Sequence, residues 1–351
     1  MKPKIIHKCF MRAVKLRKYN NIVEASSLTK PIRVLFGTAA VVVVSTPDGR
    51  IETEFSYVGF LCFLFDLVVF FYCTYKVHVE DQTIVRTIYN TKLKCYGDDL
   101  ERISSFIFAL FAMWKVPFSI SGSRDINQRI VDIDKAIENM GEIIDYNKSA
   151  LSSLFITLGQ IAEYSLRLCC IWMALNSLGV GVPFEKLYQV VYTDSMSLVL
   201  ISHYCFLLIV LRDRYKYINK ILTEIKNRNA WEYKLFMRTK LCYNVSKAEQ
   251  LQHRSVCEKI NSCAKVYSML YRATKALNKM FGTCLVLTML VYLICIILYL
   301  FYFMEATASS LFLDANRYLN CLICVFWQIA HAAILMYAIV YFSESTVEEV
   351  S

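Results

Sequence analysis

The sequence has few residues that break helices and little that could build a catalytic or metal centre. Of its 351 residues only 5 are proline and 10 are glycine, and the 5 histidines are spread from His7 to His331. It contains no metal-binding helix motif, no glycine-rich phosphate loop and no nucleophile elbow. We therefore expect a protein that is not an enzyme and that uses no cofactor or metal.

The chain is too apolar for a soluble protein of its length. Hydrophobic residues make up 56% of it and aromatic residues 14%. One soluble core cannot bury this much apolar surface, so lipid must cover part of it. A helix needs about 20 apolar residues to cross the roughly 30 Å of bilayer hydrocarbon, and six stretches qualify. The predicted spans cover residues 57–76, 103–120, 152–178, 187–211, 279–304 and 319–342.

Lysine and arginine are concentrated in alternate connecting segments. The segments before span 1, between spans 2 and 3, between spans 4 and 5 and after span 6 hold 29 of these residues, and the other three hold 6. Because cytosolic loops carry the excess of basic residues, the N-terminus is predicted to be cytosolic in a multi-pass protein of the plasma membrane. This asymmetry explains most of the formal charge of +10, so no nucleic-acid partner is needed. Residues 1–20 show no cleavable signal peptide, so span 1 is expected to direct membrane insertion.

The segments between the spans also contain structural patterns. A short apolar run over residues 34–44, beside Pro31, predicts an interfacial or re-entrant piece rather than a span. Apolar residues recur three and four apart over residues 126–144, 211–225 and 256–281. These patterns predict that three spans continue as long helices into the cytosol.

The predicted fold is an all-α polytopic membrane bundle in four parts. The apolar residues that recur along one face of each cytosolic helix form an apolar stripe, which must be buried. Packing within the chain could bury these stripes alone, or a subunit interface could bury them as well. The four parts are a cytosolic N-terminal segment with an interfacial helix (1–56), spans 1 to 4 (57–211), a cytosolic helical anchor region (212–278), and spans 5 and 6 with a short tail (279–351). The candidates for a subunit interface are Tyr215, Ile218, Leu222, Tyr267, Leu270, Leu277 and Phe281.

Three stretches of the sequence resemble the insect gustatory receptor family. Arg212-Asp213-Arg214-Tyr215-Lys216-Tyr217-Ile218-Asn219-Lys220-Ile221-Leu222 is similar to the cytosolic end of that family's fourth helix. Leu277-Asn278-Lys279-Met280-Phe281-Gly282, at the start of span 5, is similar to its Leu-Asn-x-x-Phe-Gly element. Residues 27–37 resemble the segment before its first helix. The three stretches occur in the family's order and are spread over residues 27–282, which is most of the chain.

The resemblance implies a cation channel that a tastant opens directly, built as a homo- or hetero-tetramer with other gustatory receptor subunits. In the family, a seventh helix with a Thr-Tyr and a later Gln-Phe lines the ion pathway. This sequence has no Gln-Phe, its only Thr-Tyr is Thr74-Tyr75 in span 1, and nine residues follow span 6. We therefore expect a receptor without the pore helix, through truncation, an alternative transcript, a gene-model error or divergence. Such a chain would conduct only with a full-length partner, or not at all.

The resemblance also implies a ligand pocket among helices two to six that opens toward the outer leaflet. Aromatic rings there would bind apolar surfaces or sugar rings, and amides and acids would orient hydroxyl groups. Any single aromatic residue here more often faces lipid or packs in the core than binds a ligand. The predicted ligand-binding residues are Phe106, Phe108, Trp172, Asn176, Tyr192, Asp194, Tyr299, Trp327, Gln328 and His331, with Ser197, Tyr302 and Asn320 beside them.

Ionisable residues within spans need partners, because an unpaired charge in hydrocarbon costs about 3 kcal/mol or more. Glu163 and Arg167 are four residues apart on span 3, so they are predicted to pair on one helix face. Their pair would be either structural or involved in ligand or gating coupling. Asp66 in span 1 has no partner nearby in the sequence and is expected to face protein or water.

Other classes of membrane protein remain as alternatives. A non-conducting ligand-binding or structural membrane subunit is the first of them. A secondary transporter would favour broken helices and two matching halves, but only Pro117 lies within a span, at its end, and no repeat is evident. The tripeptide Asp213-Arg214-Tyr215 matches one that G-protein-coupled receptors carry at the cytosolic end of their third helix. Here it follows the fourth span, and the basic N-terminus points inward instead of outward.

Overall fold

A computed structural model describes residues 19–35, 40–46, 50–80, 92–118, 120–177, 179, 181–239, 246–308 and 315–350. Helices dominate these residues, and the strands found among them form a single hairpin. The prediction of an all-α polytopic membrane bundle is therefore confirmed, apart from this hairpin.

The described helices are of two kinds. The short ones are α1 (Ile22–Ser26) and α2 (Lys30–Leu35), joined by a 3-10 turn. Asn21 caps α1, because its side-chain oxygen accepts the backbone N–H of Glu24 at 2.9 Å. The long ones are α3 (Tyr57–Val79), α4 (Lys92–Phe118), α5 (Ile120–Glu138), α6 (Tyr146–Ser177), α7 (Phe184–Thr239), α8 (Ser246–Ala308) and α9 (Ala315–Glu348).

A β-hairpin lies between α2 and α3. Its strands β1 (Val41–Ser45) and β2 (Ile51–Phe55) pair antiparallel. The N–H of Ile51 donates to Gln128 Oε1 of α5 at 3.0 Å, so the hairpin is fixed to that helix. Of the apolar run over residues 34–44, residues 41–44 thus form part of a strand and residues 36–39 lie outside the described residues, so an interfacial position of the run stays a prediction. Four consecutive β-branched valines open β1, and such residues fit a strand better than a helix.

Five of the described helices contain segments long and apolar enough to cross a membrane, namely α3, α6, α7, α8 and α9. They include predicted spans 1, 3, 4, 5 and 6. Most of predicted span 2, residues 103–118, lies in α4. This helix of 27 residues is not apolar enough over its described length to be counted with the other five. Glu101, Arg102 and Lys115 make this helix more polar than the other five.

One end of the bundle is densely packed. We call it the basal bundle, and it consists of α5 (residues 120–138) with residues 211–227 of α7 and 256–281 of α8. Here the apolar stripe predicted for the segment between spans 2 and 3 is buried against α7 and α8. Its members Ile126, Ile130, Ile133 and Ile137 lie on α5 and are each at most 1% exposed.

Packing within the chain buries most of the candidate subunit-interface residues. The buried ones are Tyr215, Ile218, Leu270, Leu277 and Phe281. Leu222 remains 37% exposed, and Tyr267 is half-buried against Tyr215, with ring centroids 5.2 Å apart. Packing within the chain therefore buries most residues of the apolar stripes, and a subunit interface stays a prediction.

The end of α9 is bound to the basal bundle by polar contacts. Arg212 Nη1 donates to Ser345 Oγ at 2.6 Å, and Asn219 Nδ2 donates to the backbone carbonyl of Glu349 at 2.8 Å. Lys216 also pairs with the Glu349 carboxylate at 3.3 Å. As a result α9, like α7 and α8, reaches from the basal bundle to the opposite end of the molecule.

Candidate functional site

The opposite end of the bundle contains a cavity of about 520 Å³. This volume lies within the usual range for small-molecule sites. Five helices line it, and each supplies at least one aromatic or polar side chain. These are Phe108 from α4, Arg167 from α6, Asp194 from α7, Tyr299 from α8 and Gln328 from α9.

A chain of hydrogen-bonded side chains connects these five helices along the cavity wall. Arg167 Nη1 lies 2.9 Å from Asp194 Oδ2, in an ion pair whose arginine is 4% exposed. Arg167 Nη2 donates to Gln328 Oε1. Gln328 Nε2 in turn donates to Tyr299 Oη, and Tyr299 donates to Glu101 Oε1 of α4, each at 3.3 Å. Movement of any one helix must therefore disturb contacts with the others.

The predicted pairing of Glu163 with Arg167 is wrong. Arg167 pairs with Asp194 on α7, and the Glu163 carboxylate lies 3.0 and 3.1 Å from His331 Nδ1 on α9. A pair one turn apart on a helix contributes only about 0.2–0.5 kcal/mol. The buried His331 and the largely buried Asp194 need polar partners more strongly, because a buried polar group without a hydrogen bond is costly. A role of Glu163 and Arg167 in gating stays a prediction.

His331 is held in one orientation by its surroundings. It is 2% exposed, and its ring centroid lies 5.9 Å from those of Tyr164 and Tyr292. A carboxylate only accepts hydrogen bonds, so Nδ1 carries the proton that faces Glu163. Nε2 is left without a partner in the protein.

Four buried polar atoms of the cavity residues have no hydrogen-bond partner in the protein. They are Arg167 Nε, Gln189 Oε1, Tyr292 Oη and His331 Nε2. Buried polar atoms without a partner are uncommon in folded proteins. The site therefore retains unused hydrogen-bonding capacity beside a space that water or a ligand can fill.

The structure brings six of the ten predicted ligand-binding residues together around the cavity. They are Phe108, Trp172, Asp194, Tyr299, Gln328 and His331, joined by the neighbouring candidates Ser197 and Tyr302. The other predicted residues lie outside it, namely Phe106, Asn176, Tyr192, Trp327 and the neighbouring Asn320.

The predicted residues outside the cavity have other surroundings. Phe106 and Tyr192 belong to an apolar cluster with α3, where Phe70 lies 6.2 Å and 5.6 Å from them between ring centroids. Asn176 is exposed near the end of α6, and Asn320 donates to Ser177 Oγ at 3.0 Å. Phe106 and Tyr192 therefore face α3, and Asn176 and Asn320 lie near helix ends, instead of at the cavity.

Several cavity residues were not predicted from the sequence. Glu101 precedes predicted span 2, but α4 begins at Lys92 and includes it. Gln189 and Thr193 also line the cavity, with Ser197 one turn further on. Their spacing of four residues within an apolar span is a signal that could have found them, because it places polar groups on one helix face.

Asp66 faces protein, as the sequence predicts. It is 8% exposed and accepts a hydrogen bond from Tyr188 Oη of α7 at 3.1 Å. This contact links α3 to α7 beside the cavity.

A second buried ion pair lies in the basal bundle and was not predicted. Arg214 donates from Nε and Nη2 to the two oxygens of Asp134 at 2.9 and 3.1 Å. Tyr146 Oη also donates to Asp134, at 3.0 Å. Three long helices, α5, α6 and α7, are joined at this point.

The composition of the cavity wall suits the binding of a ligand. Within the described parts of the chain, no three histidine, cysteine, aspartate or glutamate side chains are placed to hold a metal ion. The cavity instead combines apolar walls with a few convergent polar groups, which is the usual form of a site for a small organic ligand.

These features define a multi-pass helical membrane protein with a ligand-sized cavity among its helices. The family model for the 7tm chemosensory receptor matches residues 49–351. The chain therefore belongs to the chemosensory receptor family. A search of curated proteins finds no match to this sequence.

Proposed function

We propose that this chemosensory receptor is a gustatory receptor of the plasma membrane and a subunit of a tastant-gated cation channel. The observation that supports this proposal is the cavity of about 520 Å³, whose wall connects five helices through Arg167, Asp194, Gln328, Tyr299 and Glu101. A ligand shifts a conformational equilibrium by binding one state better than the other. A tastant in this cavity would do so by favouring one arrangement of the five helices.

The proposed orientation places the N-terminus and the basal bundle in the cytosol. The cavity then lies in the outer half of the membrane, where a tastant arrives. The basic residues of the alternate segments support this orientation. An epitope inserted ahead of Tyr57 should be labelled by antibody only after the cells are permeabilised, and labelling of intact cells would contradict the proposal.

The proposed assembly is a homo- or hetero-tetramer with other gustatory receptor subunits. Apolar side chains exposed on the basal bundle support a protein partner there, since such surfaces are favourable to cover. Examples are Leu222 at 37%, Ile260 at 43% and Tyr271 at 64% exposed. A partner that carries the Thr-Tyr and Gln-Phe helix would supply the ion pathway.

Ligand-evoked cation current tests the proposed function. The 351-residue chain should be expressed alone and together with a gustatory receptor that carries the Thr-Tyr and Gln-Phe helix. A panel of tastants is then applied to both kinds of cell. Trp172→Ala should reduce sensitivity about tenfold, because Trp172 lines the cavity. Trp114→Ala is the matched control, since Trp114 is also exposed (75%) and lies on α4 outside the cavity. Binding without current in either expression would instead support a non-conducting ligand-binding subunit.

A further inference from the structure

Asp66 is a buried carboxylate without a positively charged partner. It lies in the middle of α3 and is 8% exposed. Tyr188 Oη donates to its Oδ1 at 3.1 Å, and its Oδ2 has no hydrogen-bond partner. Within the described parts of the chain, no lysine, arginine or histidine pairs with it. An ionised group inside an apolar bundle is strongly unfavourable unless an opposite charge lies beside it.

A second buried group without a partner lies beside Asp66. Tyr192 is one turn after Tyr188 on α7 and is 3% exposed, and its Oη has no hydrogen-bond partner. The rings of the two tyrosines are stacked, with centroids 5.9 Å apart. Asp66 is close enough to interact electrostatically with both phenols. A carboxylate and two phenol oxygens with unused lone pairs therefore lie together between α3 and α7.

These oxygens are better placed for an ion than for direct hydrogen bonds. A hydrogen bond between two oxygens needs a separation of about 2.5–3.0 Å, and Asp66 Oδ2 and Tyr192 Oη do not form one. A proton on Asp66 would leave both atoms without a partner. An ion that contacts each oxygen at about 2.4 Å, as Ca²⁺ does, can join oxygens up to roughly 5 Å apart. Na⁺ has nearly the same radius as Ca²⁺.

The charge and the packing favour a small monovalent cation. One carboxylate balances one positive charge, whereas a divalent ion would leave an excess charge within the apolar bundle. Aromatic rings attract cations to their faces, and Phe70 lies 5.6 Å from Tyr192 between ring centroids. The neighbouring side chains are almost closed to solvent, which favours an ion smaller than a water molecule over an organic cation. They are Phe63, Phe70, Phe108, Met113 and Met196, each at most 5% exposed.

The same turns of α7 also form part of the cavity wall. Tyr188 and Tyr192 each directly precede a residue that lines the cavity, Gln189 and Thr193. An ion that joins Asp66 to the two tyrosines would therefore hold α3 against the turns of α7 that contact a ligand.

We propose that Asp66, Tyr188 and Tyr192 form a binding site for a monovalent cation, Na⁺, between α3 and α7. The carboxylate supplies the charge, the phenols supply neutral oxygens, and water completes the coordination of this hard cation. Sequence analysis could not predict the site, since Tyr188 is 122 residues from Asp66. The site itself does not require the chain to conduct. Only its influence on ligand binding rests on the proposed function of the cavity.

Thermal unfolding of the purified chain in phosphatidylcholine nanodiscs tests the site without requiring a current. Choline chloride is replaced by NaCl at a constant ionic strength of about 0.15 M. The melting temperature should rise by about 2 °C in Na⁺, because a ligand that binds only the folded state stabilises it. CaCl₂ at the same ionic strength should give a smaller shift than NaCl.

Isosteric variants locate the effect. Asp66→Asn removes the charge but keeps an oxygen that can accept from Tyr188, so it should abolish the Na⁺ shift. In choline this variant should be at least as stable as the unchanged chain, because no buried charge then lacks a partner. Tyr192→Phe removes one oxygen and should reduce the shift. Tyr164→Phe is the matched control and should keep the full shift, since Tyr164 is also buried with a partnerless Oη but lies on α6 beside His331.

Several results would overturn the inference. They are equal melting temperatures in Na⁺ and choline, a Na⁺ shift that survives Asp66→Asn, and a larger shift in Ca²⁺ than in Na⁺. Another is a chain that Na⁺ does not stabilise but that acid stabilises in choline, with the acid effect absent from Asp66→Asn, because Asp66 would then hold a proton. A Na⁺ shift that Asp66→Asn abolishes, in a chain that passes no ligand-evoked current, would leave the cation site standing while the channel function fails.

Discussion

The two buried arginines of this receptor are held in different ways at the two ends of the bundle. In the basal bundle, Arg214 gives two nitrogens to the two oxygens of Asp134, and both side chains are 2% exposed. On the cavity wall, Arg167 divides its donors between Asp194 and Gln328, and its Nε has no partner. The Asp194 side chain is also more exposed, at 15%.

The difference indicates what each end does. A bidentate pair in a packed core fixes one geometry and is strongly disfavoured when either partner is lost. An arginine with divided donors and a neighbouring space can exchange partners at lower cost. We therefore expect the basal bundle to behave as a rigid base and the cavity wall as the part that rearranges.

Loss of the basal ion pair should have the largest effect on stability. Asp134→Asn leaves the buried Arg214 without a counter-charge, which should lower the free energy of unfolding by about 3–5 kcal/mol. Thermal unfolding in detergent measures the loss. Asp125→Asn on the same helix is the control, because its pair with Arg129 is half exposed and should contribute less than about 1 kcal/mol. Similar losses in the two variants would contradict a rigid base.

Truncation of a leucine tests the packing at each end. Leu270→Ala in the basal bundle, where the side chain is 0% exposed, should cost about 3 kcal/mol because a cavity is left. Leu187→Ala should cost about 1 kcal/mol or less, since Leu187 already borders the ligand cavity and is partly exposed. Denaturant titration of both variants gives the comparison, and equal losses would show that the two ends are packed alike.

The ion pair of the cavity wall should be more tolerant than the basal pair. Asp194→Asn should cost about 2 kcal/mol, less than Asp134→Asn, because Arg167 keeps Gln328 and the cavity admits water. Adding Arg167→Met should recover part of the loss, since no buried charge then lacks a partner. A double-mutant cycle on apparent unfolding free energies measures this coupling, and a double variant no more stable than Asp194→Asn alone would be the contrary result.

The smallest effect is expected at the β-hairpin. Gln128→Ala removes the acceptor for the Ile51 N–H and should cost about 1 kcal/mol. Hydrogen exchange at Ile51 should become faster while exchange in α9 stays unchanged. If exchange accelerates throughout the cavity helices as well, the hairpin is coupled to the ligand site and the division into two ends is too simple.

The sequence predicts the helices better than it predicts their contacts. Hydrophobic periodicity sets the faces of α5, α7 and α8, so burial of residues such as Ile130 and Leu270 follows from spacing alone. The hairpin could not be predicted in this way, because a run of four valines is too short to separate strand from helix. The partner of Arg167 was also missed, since Asp194 is 27 residues distant and only tertiary packing selects it over Glu163.

A single helix connects the two ends. Helix α8 runs unbroken over 63 residues, from Ser246 to Ala308, and carries Leu270 in the basal bundle and Tyr299 at the cavity. At a rise of about 1.5 Å per residue it is a rod roughly 95 Å long. If one end is fixed, tilting such a rod by about 5° displaces the other by roughly 8 Å. A small change of tilt at the fixed basal end would therefore produce a large shift of the helix at the cavity.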